Sequence, residues 1–148
     1  MELFGYDIYL SKNIDKNKIE KLLSDNYHEY IFLYTDFLNI SIDVEKQARN
    51  CAYFYIHHFD KIIDSQFPFR LQMESLLDEP SKWEKAYCLT EKICKIFNLC
   101  CFIEYPFNTQ KPSPYDVLLY LPNGEIHVAS DIDYDEKGEL RIVRLLDI

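Results

Sequence analysis

Residues 115–130 have the sequence YDVLLYLPNGEIHVAS, which carries the strongest β-hairpin signal in the chain. Two runs rich in apolar residues, 115–121 and 125–130, flank a short connection that contains Asn123-Gly124. Asn-Gly suits a type I′ turn, because that turn requires a positive φ at both central positions. We therefore expect two antiparallel strands joined by a type I′ turn.

Outside this hairpin, short segments that alternate apolar and polar residues or are rich in β-branched and aromatic residues predict further strands. These segments are residues 4–10, 30–34, 51–58, 67–73, 100–105 and 139–145. Residues 36–50 fit both a strand and a helical turn, so their structure stays open at this point.

The first predicted helix covers residues 15–25. Its apolar residues Ile19, Leu22 and Leu23 have the i, i+3, i+4 spacing of one helix face. Asn13 or Asp15 is a candidate N-cap, and Asn26 is a candidate stop.

The second predicted helix covers residues 81–97 and has the clearer pattern. Ser81 and Glu84 have the spacing of a capping box, and Glu91 and Lys95 have that of an i, i+4 ion pair. One face is apolar, which predicts that Trp83 packs in the core. The residues of this face are Trp83, Ala86, Tyr87, Thr90, Cys94 and Phe97.

The order of these elements predicts an α+β fold. With 148 residues the chain is long enough for one substantial core, so we expect a single domain over residues 1–148. We expect a largely antiparallel sheet with the two main helices packed on one face.

The chain is acidic, with a formal net charge of −9. Seven carboxylate residues and one lysine lie between residues 112 and 140, so this segment alone contributes six of the nine negative charges. Direct binding of nucleic acid needs clustered Lys and Arg, whereas an acidic surface attracts basic partners. The charge therefore favours a basic protein partner and disfavours nucleic acid.

The acidic segment 131–138 has the sequence DIDYDEKG, which allows three interpretations. Its alternating carboxylates match the start of a calcium-binding loop, but Glu136 stands at the sixth position, where such a loop needs glycine. Ile142 stands at the twelfth, where a bidentate Glu is needed. The other interpretations are a solvated turn between two strands and a docking loop for a basic partner.

No catalytic or cofactor-binding motif occurs in the sequence, so we expect neither an enzyme nor a bound cofactor or metal. The five cysteines form no C-x-x-C pair, which is typical of reduced thiols in a cytoplasmic protein. No signal peptide or membrane span is predicted.

In this combination of small size, acidity and absent catalytic motifs, the chain resembles the immunity proteins of bacterial polymorphic-toxin and contact-dependent growth inhibition systems. Asp131, Asp133, Asp135 and Glu136 are the most suggestive residues. The resemblance implies a non-catalytic protein that neutralises a cognate toxin, often a basic nuclease, by covering its active site or substrate surface.

An acidic face would make the contact, and exposed Tyr134, with Tyr120 as a second candidate, would supply apolar anchoring. The residues expected to contact the toxin are Asp116, Asp131, Asp133, Tyr134, Asp135, Glu136 and Glu139.

Two other classes of function stay open. One is a regulatory module that binds a small molecule or peptide in a pocket between the sheet and the second helix, near Trp83 and Tyr87. The other is an enzyme without a recognisable motif, which requires a cleft where histidine, cysteine or carboxylate side chains converge.

Overall fold

The structure is a computed structural model that describes residues 4–26, 31–34, 51–58, 65–75, 82–104, 113 and 115–146. Within these residues it contains eight strands and three helices. In chain order they are β1 (Phe4–Leu10), α1 (Lys16–Asn26), β2 (Ile31–Tyr34), β3 (Cys51–His58), β4 (Phe69–Ser75), α2 (Lys82–Phe97), β5 (Cys101–Glu104), β6 (Asp116–Tyr120), β7 (Ile126–Ser130), α3 (Tyr134–Lys137) and β8 (Arg141–Leu145). The ambiguous residues 36–50 lie outside the described ranges.

The eight strands form one sheet in the order β2-β3-β4-β1-β5-β6-β7-β8. Neighbouring strands are antiparallel except β2 and β3, which are parallel. The N-terminal strand β1 lies in the middle, where it pairs with both β4 and β5. The predicted α+β fold with a largely antiparallel sheet is confirmed.

The two long helices pack on the same face of this sheet. Their buried apolar side chains join one core cluster with alternate residues of the strands. Residues at the intervening positions point to the other face, where a smaller buried cluster forms. This second cluster, on what we term the second face, consists of Phe67, Phe102, Val117, Leu119, Ala129 and Tyr134.

Helix α1 follows its sequence signals closely. The Asp15 carboxylate accepts a hydrogen bond from the Asn17 amide at 2.7 Å, so Asp15 is the N-cap. At the other end, the Asn26 side chain donates to the Leu22 carbonyl at 2.7 Å and accepts from Lys92 Nζ of α2 at 2.6 Å. Asn26 therefore ends α1 and also joins it to α2.

Helix α2 ends in a left-handed residue, Asn98, whose φ is 52°. The Leu99 amide donates to the Cys94 carbonyl at 3.3 Å. This hydrogen bond, between residues five positions apart, is the 6→1 bond of a Schellman cap. The predicted Glu91–Lys95 pair is present at 2.8 Å. The position of Ser81 and the side chain of Trp83 lie outside what the structure describes.

No helix among the described residues is long and apolar enough to cross a membrane.

The predicted hairpin is present, but its turn differs from the expected type. The Gly124 amide donates to the Leu121 carbonyl at 3.1 Å, and the Leu121 amide donates to the Glu125 carbonyl at 3.0 Å. Only Gly124, with φ of 93°, has a positive φ in this connection, so type I′ is wrong. Pro122 at the second position favours a type I turn, and Gly124 supplies the left-handed residue that follows it in three-residue hairpin loops.

Candidate partner-binding surface

The acidic segment between β7 and β8 is an ordered turn that contains a short helix. We call residues 131–139 the acidic turn. The Tyr134 amide donates to the Asp131 carbonyl at 3.0 Å, and the Gly138 amide donates to the Tyr134 carbonyl at 2.8 Å. Gly138 has a φ of 69°, in the left-handed region that ends helices and favours glycine. The backbone of the acidic turn is thus fixed by local hydrogen bonds.

The side chain of Tyr134 points from the acidic turn into the sheet, and the prediction that it is exposed is wrong. Its side chain is buried in the second-face cluster, where its ring lies edge-on to Phe102 with centroids 5.6 Å apart. Its hydroxyl accepts a hydrogen bond from the Phe67 amide at 3.2 Å and donates to the Phe67 carbonyl at 2.9 Å. Tyr134 therefore fixes the turn on the sheet, and its side chain is not exposed as an apolar anchor would be. Tyr120, the other expected anchor, is also buried.

A second set of hydrogen bonds holds the C-terminal end of the acidic turn to the segment before β4. The Gln66 amide donates to the Gly138 carbonyl at 2.7 Å. The Gln66 side-chain oxygen accepts from the Leu140 amide at 3.0 Å. Both ends of α3 are thus joined to residues 66–67, which lie about seventy positions earlier in the chain.

The carboxylates of the acidic turn differ in their exposure. Glu136 and Glu139 are exposed, whereas Asp131 and Asp133 are half-buried. The Asp133 carboxylate accepts a hydrogen bond from the Arg141 guanidinium at 2.6 Å. The Asp135 side chain lies outside the described part of the structure. Among the predicted contact residues whose side chains the structure describes, Glu136 and Glu139 are therefore the most available.

Asp116 is buried, contrary to the exposed position that its prediction as a contact residue requires. Its side chain is buried at the start of β6, and its carboxylate accepts a hydrogen bond from the Ser113 amide at 3.2 Å. The Asp116 amide in turn donates to the Ser113 carbonyl at 3.2 Å. Asp116 closes a turn before β6, which is a common role of aspartate. The sequence pattern alone could not distinguish this structural role from a role in binding a partner.

Cations reduce the charge of the acidic turn. Five carboxylates and two cations lie in residues 131–141, which leaves three net negative charges there. The cations are Lys137 and Arg141, and Arg141 is paired with Asp133. Arg141 therefore compensates the charge of Asp133, whereas the side chains of Glu136 and Glu139 are exposed.

The structure also exposes an apolar surface that the sequence did not predict. Ile142, Val143 and Leu145 are 58%, 55% and 56% exposed, respectively, and we call them the apolar edge. They belong to β8, the terminal strand of the sheet, and no other described strand pairs with its outer side. The apolar run Ile142-Val143 is visible in the sequence. Whether such a run is buried or exposed depends on the position of its strand in the sheet, which the sequence pattern does not give.

Cys100 and Cys101 show no feature of an activated nucleophile. Burial raises the pKa of the Cys101 thiol well above its usual value, and the neighbouring Cys94 raises it further. Burial also raises the pKa of Cys100. A raised pKa keeps a thiol protonated near neutral pH, and the thiolate is the nucleophilic form. These two residues are therefore inert thiols in the packed structure.

Histidine and carboxylate side chains were the other candidates for chemistry. His127 Nε2 lies 3.1 Å from a Glu125 carboxylate oxygen. The side chains of Cys51, His57 and His58 lie outside the part of the chain that the structure describes. The Trp83 side chain does too, so its predicted packing in the core stays a prediction. Within the residues that are described, no three His, Cys, Asp or Glu side chains are arranged to hold a metal ion.

The chain matches no known family model, no curated protein and no solved structure.

Proposed function

We propose that this chain is a non-catalytic, cytoplasmic immunity protein that binds a toxin with a cationic active site or substrate surface and neutralises it. The proposal assigns the contact to the acidic turn, with Glu136 and Glu139 at its exposed side. The net charge of −9 supports attraction to a cationic partner.

The observation that carries the proposal is the rigid attachment of the acidic turn. Tyr134 joins the turn to Phe67 through two hydrogen bonds, and Gln66 bonds to Gly138 in the turn and to Leu140 directly after it. A surface that is already ordered loses less conformational entropy on binding, so more of the interaction energy appears as affinity. A merely solvated turn does not require this set of attachments to a remote segment.

The mechanism would be exclusion of substrate. A nuclease holds its phosphodiester substrate with Lys and Arg side chains. Glu136 and Glu139 would pair with those cations and occupy the positions of the phosphates. Long-range attraction between the acidic protein and a cationic toxin would accelerate association, and added salt would slow it.

The test compares two variants with equal change in net charge. Glu136→Lys with Glu139→Lys reverses the exposed charges of the acidic turn. Glu20→Lys with Asp25→Lys makes the same change on α1, where both residues are exposed. Tagged proteins are used to recover partners from cells of the source organism, and a recovered partner is then produced alone and assayed for toxicity and nuclease activity.

We expect wild type and the α1 variant to bind and inhibit the same cationic protein, and the acidic-turn variant to bind it at least tenfold more weakly. Wild-type binding should weaken as salt increases, because exposed charges are screened. Equal affinity of all three proteins would contradict the assignment to the acidic turn. Recovery of no inhibited cationic protein by wild type would contradict the proposed function itself.

A further inference from the structure

Three of the most exposed large apolar side chains in the described structure lie together on β8. These are the apolar edge residues Ile142, Val143 and Leu145. Exposed apolar groups that are bordered by polar residues are typical of protein-binding sites. Burying each of them against a partner would be favourable by the usual hydrophobic effect.

Two residues of the apolar edge, Ile142 and Leu145, lie on the same side of the sheet as the acidic turn. Ile142 is opposite Ala129 in the β7–β8 register, and Ala129 belongs to the second-face cluster with Tyr134. Leu145 is opposite His127, two positions from Ala129 and therefore on the same face. The acidic turn leads directly into β8.

The arginines of β8 do not oppose this arrangement. Arg141 is already paired with Asp133 of the acidic turn at 2.6 Å. Arg144 is opposite Val128, whose side chain lies in the core cluster on the helix-covered face. Arg144 is thus on the other side of the strand from Ile142.

β8 also carries a feature that restricts its pairing with another strand. The register between β7 and β8 shifts at Val128 and Ala129, so the ladder is irregular there. Irregularities of this kind and charged residues protect edge strands from adding a further strand. The apolar side chains of β8 are therefore more suitable for contact than its outer backbone.

From these observations we infer that the apolar edge is the hydrophobic centre of the partner-binding surface and that the carboxylates of the acidic turn form its charged border. This inference rests on the proposed function and specifies the partner further. The occupant is a cationic protein surface that presents an apolar side chain to Ile142 and Leu145 and basic side chains to Glu136 and Glu139. An apolar centre with a polar rim is the usual organisation of a protein interface.

The experiment uses the purified cationic partner that wild type recovers and the acidic-turn variant binds weakly. Ile142→Thr with Leu145→Thr removes the large apolar side chains and places threonine, a β-branched residue that favours strands, at both positions. Ile96→Gln is the matched control, because Ile96 is 59% exposed on α2, away from β8. Association and dissociation rates are measured at several salt concentrations, and cooperative thermal unfolding confirms that each variant is folded.

We expect the β8 variant to bind about thirtyfold more weakly, mainly through faster dissociation, with an unchanged dependence on salt. The Ile96→Gln control should bind like wild type. Weak binding by the acidic-turn variant together with normal binding by the β8 variant would overturn this inference and leave the proposed function standing. If the double β8 variant does not fold, Ile142→Thr alone replaces it, with an expected loss of at least about fivefold.

Two further outcomes would also overturn the inference. Sedimentation could show that wild type forms a dimer that the β8 variant does not form, in which case a second copy of the chain covers the apolar edge. Alternatively, no inhibited cationic partner could be recovered at all, in which case the proposed function fails and this inference fails with it.

Discussion

Tyr134 and Phe67 exchange two hydrogen bonds although 67 positions separate them in the sequence. The Tyr134 hydroxyl accepts from the Phe67 amide at 3.2 Å and donates to the Phe67 carbonyl at 2.9 Å. A single side chain thereby satisfies both polar groups of a buried backbone unit and holds the acidic turn against the second face of the sheet. This relationship gives the first prediction.

Tyr134→Phe should lower the free energy of unfolding by about 1–3 kcal/mol, because it leaves the buried amide and carbonyl of Phe67 unpaired. In a domain of this size each kcal/mol corresponds to a decrease of about 2–4 °C in Tm. Thermal and urea unfolding measure the effect. Tyr115→Phe is the control, since Tyr115 is exposed, and it should unfold like wild type. A Tyr134→Phe protein as stable as wild type would show that these bonds contribute nothing.

Asn98 ends α2 in the left-handed conformation, with φ of 52°. A residue with a Cβ and no locally hydrogen-bonding side chain is strained there, so Asn98→Ala should lose about 1 kcal/mol. Asn98→Gly should be as stable as wild type or more stable, because glycine adopts this φ without strain. Urea denaturation of the three proteins tests this order. Greater stability of the alanine variant than of the glycine variant would contradict it.

Stability should decrease at alkaline pH. Burial raises the pKa of the Cys101 thiol and of the Tyr9 and Tyr120 phenols, so these groups keep their protons in the folded state after they have ionised in the unfolded chain. Their contribution is complete below the unfolded pKa values, near 9 for cysteine and 10 for tyrosine, and decreases above them. Each group can lower the free energy of unfolding by up to about 1.4 kcal/mol per pH unit.

Urea midpoints measured from pH 7 to pH 11 test this prediction. We expect a constant midpoint up to about pH 8 and a decrease that becomes steeper above pH 10, where the phenols begin to ionise in the unfolded state. Tyr9→Phe should make the decrease above pH 10 shallower, because one of the phenols is removed. A midpoint that stays constant to pH 11 would show that burial does not perturb these groups.

Arg141→Gln should accelerate binding of the cationic partner under the proposed function. The substitution removes the cation that pairs with Asp133 and leaves the acidic turn more negative. We expect an association rate about twofold higher at low salt, with the difference disappearing at high salt. The lost pair should cost at most about 1 kcal/mol of stability, since the Arg141 side chain is largely exposed.

Lys21→Gln is the matched control for Arg141→Gln. It makes the same change in net charge at an exposed position of α1. If both substitutions accelerate association equally, the effect comes from total charge and not from the acidic turn. Slower association of the Arg141→Gln protein would indicate that Arg141 itself contacts the partner.

Local sequence patterns were sufficient to predict most elements of the fold. The predicted strands overlap β1 to β8, and the two predicted helices overlap α1 and α2. Asp15 and Asn26 occupy the helix ends that their side chains favour. These predictions succeed because periodicity, capping and turn formation depend on residues within a few positions of one another.

The candidate site was predictable only in part. Glu136 and Glu139 are exposed as expected, whereas Asp116 and Tyr134 are buried. The difference depends on contacts with residues that no local pattern identifies, such as Phe67 for Tyr134. The predicted turn type was wrong because it was based on Asn123-Gly124 alone. Pro122 favours a type I turn within a loop of three residues.

The amino-acid sequence by itself determined the α+β character of this protein, the ends of α1 and the acidity of the segment before the last strand. Only the tertiary structure determined that β1 lies between β4 and β5, that Tyr134 is inside while Ile142 and Leu145 are outside, and that the acidic turn is fixed to residues 66–67. The physical reason is that strand order and burial depend on contacts between distant parts of the chain, whose free energy no short segment contains.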